Sequence, residues 1–231
     1  MPVKNLPELI PEHWQIEAID DKRSRVHISA SQDFFLPTHR KLKVQSAGQL
    51  PIGFDPGADY PSHNHPRGLQ MTVFGASDAL ASVGIDWAEL SQQVAADQIS
   101  VYAGSGMSQL DEQSNGGMLS ARFNGRRVSA KQCPFGFAEM PADFINAYIL
   151  GSLGTTGTSM GACASFLYNL RQAMTDIQNG RSRIAIVGSS EAPIVPEIIE
   201  GYAAMSALAS DKDLSLIHIS EPTRPLYLSY A

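Results

Sequence analysis

The chain has 231 residues, 43% hydrophobic and 17% charged, which is long and apolar enough to bury a sizeable core and reads as globular. No run approaches the ~18 consecutive apolar residues of a membrane helix. The opening, with Pro2, Pro7, Glu8 and Pro11, lacks the basic-then-apolar order of a signal peptide, so a cytoplasmic protein without membrane contact is expected. A net charge of −6 argues against a general nucleic-acid binder, and two cysteines, Cys133 and Cys163, are too few for a disulfide framework, which leaves both as thiols.

Residues 1–60 are proline-rich and of mixed charge, with short strand-like runs such as Val26 to Ser29, and are expected to form a loosely structured lead-in. From Gly68 the pattern changes: Leu69, Val73, Phe74, Leu80 and Val83 recur at helical spacing until Gly84. Ile99 to Ala103 is short, rich in strand-forming residues and followed by Gly104-Ser105-Gly106, a buried strand running into a turn. Residues 111–137 form a long excursion, after which Pro141 opens a helix carrying Phe144, Ile145, Tyr148 and Ile149. The glycine-rich stretch Gly151 to Gly161 leads into a helix whose apolar positions are Phe166, Leu167, Leu170, Ala173, Met174 and Ile177, ending at Asn179-Gly180. Ile184 to Gly188 is a fully apolar strand of the kind buried on both faces, and Pro196 precedes another helical pattern through Ile198, Ile199, Tyr202, Met205 and Leu208. Strand, helix and strand in this order imply an α/β layered architecture. After the turn-like Ser210-Asp211-Lys212-Asp213 the text becomes LSLIHISEPTRPLYLSYA, and 214–231 reads as a non-native tail.

Cys163 is the candidate nucleophile. It falls where a strand of small residues meets a helix start, and unpaired N–H groups and the helix dipole there favour a thiolate. Gly161, Ala162, Ala164 and Ser165 are small enough for a sharp turn and for an acyl chain to approach. Cys133, beside Pro134 and outside any such elbow, is expected to be a packing residue. His63 and His65 with Asp59 are too few for a metal site and are expected on the surface. Gly104-Ser105-Gly106 and Gly151 to Gly161 match neither GxxxxGK[ST] nor a GxGxxG before a helix, so no nucleotide is expected. Arg122, Arg126, Arg127 and Lys131 concentrate four basic residues in an otherwise acidic chain, either as a solvated charge run or as a docking patch.

The stretch DFINAYILGSLGTTGTSMGACASFLYNLRQAMTDIQNGRSRIAIVGSSEA resembles the active-site region of β-ketoacyl-acyl-carrier-protein synthases, in its small-residue strand, Ala162-Cys163-Ala164-Ser165, Asn179-Gly180, and the strand ending at Gly188 with Glu191 beyond. The resemblance reaches back more weakly to Gly68. QSAGQLPIGFDP, HPRGLQMTVFGASDALASVGIDW and YAGSGMSQLDEQSNGGML are similar to a bacterial acetoacetyl-acyl-carrier-protein synthase subgroup that carries sequence ahead of its condensing domain, which would make Met1 internal.

The resemblance implies the N-terminal half of a thiolase-like fold at 61–213, in which a complete enzyme repeats a sheet-and-helix half twice around five layers. It implies fatty acid synthesis without a cofactor: acylation of Cys163 from acyl-CoA or an acyl carrier protein thioester, then decarboxylative condensation with malonyl carrier protein. It also implies acyl carrier protein docking at Arg127 and Lys131, and homodimers formed through Thr155 to Met160. Two histidines, a lysine and a glycine-rich loop that assist the reaction belong to the family's second half. His218, in the suspect tail, is the one histidine after Cys163, so the chain alone is expected to be inactive in condensation. A polyketide ketosynthase or thiolase of the same fold, a chain-length-factor-like partner, from which Cys163 argues away, and a truncated product are the alternatives.

Overall fold

A computed structural model describes residues 1–208 apart from 7, 30–40, 43, 46 and 193; the tail at 214–231 lies outside the described residues. The chain divides into two compact units between residues 42 and 43. The first holds an antiparallel hairpin, β1 (Trp14–Asp20) and β2 (Arg23–Ile28), paired from Trp14 with Ile28 to Asp20 with Arg23. Its turn is closed by the Asp20 carboxylate, which accepts from the Lys22 N–H at 2.9 Å and from Arg23 Nε at 2.8 Å. Those bonds hold the Asp20 carboxyl below its ordinary pKa. Residues 14–28 of the lead-in are therefore more ordered than expected. Alternation was masked because the strands are mostly exposed and place Glu17 opposite Arg25, a pairing visible only after the register is set.

The second unit is built on a parallel sheet of β3 (Ile99–Gly104), β4 (Thr156–Gly157) and β5 (Ile184–Ser189), in the order β4-β3-β5. Its helices are α1 (Arg67–Val83), α2 (Trp87–Gln93), α3 (Asn115–Ser120), α4 (Gln132–Phe135), α5 (Met140–Ile145), α6 (Ser165–Gln178) and α7 (Pro196–Ala204). The predicted strands and long helices are present, although α7 stops at Ala204, short of Met205 and Leu208. Gly84 ends α1 in the left-handed conformation at φ 73°, as a glycine without a Cβ penalty can, and α5 runs on through a π-turn to Leu150 before Gly151 at φ 61° stops it.

Every residue of β3 is buried, and its two faces differ. Ile99, Val101 and Ala103 join Ala76 of α1, Ala142 and Ile145 of α5, and Leu150 in the hydrophobic core. Ser100 and Tyr102, the alternate residues, meet polar partners instead: Ser100 bonds Ser182, and the Tyr102 hydroxyl donates to Asp176 of α6. Burial first, and that bond second, raise the Tyr102 phenol above its usual pKa.

Two expectations change. Helix α6 buries Ser165, Asn169, Ala173 and Asp176, while Phe166, Leu167, Leu170, Met174 and Ile177 of its apolar stripe are 37–63% exposed. Strand β5 is half-buried from Ile184 to Gly188, because among the described residues it has a strand on one side only.

His65 is buried, not on the surface, whereas His63 is exposed. The His65 ring packs edge-on against Phe135 at 5.0 Å and Phe144 at 4.9 Å, and its Nδ1 lies 3.3 Å from the Tyr60 hydroxyl. Burial, and then the Lys131 charge, lower its pKa from the ordinary 6.5. A base whose pKa falls on folding adds stability above pH 6.5 that is lost as the pH drops through the folded-state value. Denaturant unfolding at about pH 7.5 and about pH 5.5 is therefore expected to show the wild-type chain losing more stability on acidification than His65→Phe. Equal losses would remove the imidazole from the account.

Candidate active site

The carboxyl ends of the parallel strands are where α/β sheets place their sites, since the chain leaves the sheet there and strand-to-helix loops gather. Three such loops meet here. After β3 comes Ser105 to Ser108, after β4 comes Thr158 to Cys163, and after β5 comes Ser190 to Ala192. Their contact is close enough to favour glycine at Gly104 and is tight at Gly106. A Cβ at Gly104 would fall 2.3 Å from Thr158 Oγ1 and 2.7 Å from its Cβ, and one at Gly106 would lie 3.3 Å from Glu191 Oε1 and 3.5 Å from Met160 Cε.

Glu191 ties the first loop to the third. Its carboxylate accepts from the Gly106 N–H, from the Met107 N–H at 3.1 Å, and from the Ser105 hydroxyl at 3.0 Å. The glycine turn is thus a small anion-binding nest filled by the protein's own carboxylate. The start of α1 joins the group, because the Ser190 and Thr72 hydroxyls both donate to the Gly68 carbonyl, at 2.7 and 2.8 Å.

Cys163 is exposed at the centre of a single 3-10 turn, Ala162–Ala164, that runs directly into α6. The residue before it, Ala162, has φ 49°, a left-handed conformation that costs a non-glycine residue about 1–2 kcal/mol. This reverses the chain between β4 and α6 and presents the thiol outward at the helix start, as the small-residue pattern predicts. Two side chains of α6 hold the approach. The Ser165 hydroxyl accepts from the Gly161 N–H at 3.0 Å and donates to the Ala162 carbonyl at 2.7 Å. Asn169, fully buried, accepts from the Ser159 N–H at 2.6 Å, and its Nδ2 donates to Thr158 Oγ1 at 3.0 Å. The sequence reading missed both as site residues. A serine in a first helical turn and an asparagine one turn later were the available signals, but their partners are set only by the fold.

On α7, the Tyr202 phenol is raised above its usual pKa by burial first, then by the charges of Glu191 and Cys163. Tyr202 and Glu191 also line an open cleft of about 1120 Å³ together with Leu50, Met71, Ile194 and Ile199.

Arg127 and Lys131 are exposed in the excursion between β3 and α5, and among the described residues neither forms an ion pair, whereas Arg126 is held by Glu112. Cys133 is exposed on α4, a four-residue helix with no buried residue, so its expected packing role is corrected. Among the described residues no group of three or more His, Cys, Asp or Glu could hold a metal ion. Among the described residues no helix is long and apolar enough to cross a membrane.

Residues 10–222 match the family profile described as the β-ketoacyl synthase N-terminal domain. The chain belongs to that family. It is 53% identical over 214 residues to the β-ketoacyl-[acyl-carrier-protein] synthase FabY of Pseudomonas aeruginosa, a match that covers 93% of this chain and 34% of FabY. The crystal structure of the FabY ketosynthase superposes with a TM-score of 0.77 at 52% identity, over 94% of this chain and 34% of that one. A ketosynthase in complex with its chain length factor from Xenorhabdus doucetiae gives a TM-score of 0.51 at 17% identity over 85% of this chain and 43% of that one, a likeness of fold alone. The fold is the N-terminal part of the thiolase-like layered fold, and the chain spans about a third of the length of its relative FabY.

The contact at Gly104 yields a test. Gly104→Ala forces Thr158, and the backbone behind it, away from β3, which is expected to lower stability by about 1–3 kcal/mol and to slow modification of Cys163. Thermal unfolding and thiol alkylation measure the two effects. An unchanged protein would mean that the β4 loop yields freely.

Proposed function

We propose that this chain is the nucleophile-bearing part of a β-ketoacyl-acyl-carrier-protein synthase of fatty acid synthesis. The observation that carries the reading is Cys163, exposed on a strained elbow at the start of α6 in a chain of this family. The Cys163 thiolate attacks the carbonyl of an acyl thioester, and the coenzyme A or carrier-protein thiolate leaves. Malonyl carrier protein then loses carbon dioxide, the carbanion attacks the acyl group on Cys163, and the cysteine thiolate is released with the β-ketoacyl product. The Cys163 N–H supplies one donor to the oxyanion formed in each attack. Acetyl-CoA is the proposed acyl donor, on the strength of the acetoacetyl-synthase-like stretches.

Arg127 and Lys131 are the proposed acyl carrier protein contacts, since both are exposed and neither forms an ion pair among the described residues of an acidic chain. The complete enzyme is proposed to be a cytoplasmic homodimer joined through residues 155–160. In support, β4 pairs on one side only among the described residues, leaving an open strand edge. The exposed stripe of α6 suits the proposed second half of the layered fold, with 61–213 as the first condensing domain.

Incubation with radiolabelled acetyl-CoA is expected to label the purified chain at Cys163, whereas Cys163→Ala stays unlabelled. Label on Cys133 alone, or none, would refute the nucleophile assignment. Adding malonyl carrier protein is expected to give no β-ketoacyl product from this chain by itself, and clear product would refute the need for a second half. In a full-length enzyme, charge reversal at Arg127 and Lys131 is expected to raise KM for carrier protein about tenfold with kcat retained. An unaltered KM would remove the docking assignment.

A further inference from the structure

We infer that Asn169, with Ser165 one helical turn before it, is a positioning residue whose hydrogen bonds set the reactivity of Cys163. The inference rests on the assignment of Cys163 as nucleophile. Residues four apart on a helix share a face, and here that face is turned toward the loop that delivers the thiol. The two side chains grip it at successive points. Asn169 takes Thr158 and Ser159, and Ser165 takes the Gly161 N–H and the Ala162 carbonyl, so together they hold the approach and the residue next to Cys163.

The burial of Asn169 makes this specific. A side-chain amide with no exposed surface is costly unless its oxygen and nitrogen are both bonded, so its position and that of the Thr158-Ser159 backbone define each other. The left-handed Ala162 supplies the second reason. A strained backbone persists only where its surroundings over-determine it, and the Ser165 hydroxyl is bonded to both sides of the Gly161-Ala162 peptide link, at the Gly161 N–H and the Ala162 carbonyl. Without these braces Ala162 can return to an ordinary conformation, which carries the Cys163 sulfur away from the start of α6.

The second exposed cysteine provides an internal reference. Iodoacetamide alkylation of the whole chain, followed by mass spectrometry of both peptides, gives the ratio of Cys163 to Cys133 rates in one molecule. Asn169→Ala and Ser165→Ala are each expected to lower that ratio about tenfold, while Ser165→Thr, which keeps the hydroxyl, retains it. General loosening would raise both rates and is read separately from circular dichroism and the melting temperature. Should Asn169→Ala not fold, Thr158→Val removes one of its partners at constant shape and is expected to lower the ratio about threefold. A folded Asn169→Ala or Thr158→Val with the wild-type ratio would overturn the inference and leave the nucleophile assignment standing. A wild-type Cys163 that reacts no faster than Cys133 would overturn both.

Discussion

A helix that buries its polar side chains must supply each of them with a partner, and the second unit depends on α6 doing so. Asp176 receives the Tyr102 hydroxyl from the middle of the sheet, and Asn169 receives the loop that follows β4. These bonds are directional, so they fix the rotation of α6 and its register along β3 more narrowly than apolar contact alone could. Cys163 precedes the same helix by two residues, and its place is inherited from that anchoring.

The opposite face of β3 carries the ordinary burden of stability. Ile99, Val101 and Ala103 pack with α1 and α5 in a hydrophobic cluster, and the sheet is held between a hydrophobic layer and a hydrogen-bonded one. From this platform the loops after β3, β4 and β5 converge, tied together by Glu191 and by the close approach of Thr158 to Gly104. At Gly104 and Gly161 an added Cβ would fall 2.3 Å from Thr158 Oγ1 and 2.0 Å from the Tyr168 ring, so glycine is fitted to these two close approaches. Conformational freedom is needed at fewer positions, and at Ala162 a left-handed turn is accepted without glycine.

The apolar stripe of α6 faces away from this platform. One face of the helix is satisfied against the sheet by polar side chains, while the other exposes Phe166, Leu167, Leu170, Met174 and Ile177. Among the described residues β4 and β5 each pair with β3 alone, and β5 is half-buried.

Sequence pattern by itself determined the strands β3 and β5, the long helices and the position of Cys163 at a strand-to-helix elbow. Helical spacing ending at Gly84 and Gly180, the β-branched run at β3, and small residues around Cys163 are local signals, because each depends on dihedral preferences within a few residues. The family could be read from the fifty residues around Cys163 for the same reason. Tertiary structure alone decided which face of α6 is buried, since the apolar stripe that dominates the pattern is outbid by polar side chains whose partners lie 10 to 74 residues away in the chain. It also moved His65 from an expected surface loop into an aromatic cluster and turned Cys133 outward. At Cys163 the division is plain: its neighbours in sequence allow a sharp turn, but the left-handed Ala162 and the grip of Ser165 and Asn169 exist only once helix and strand are brought together.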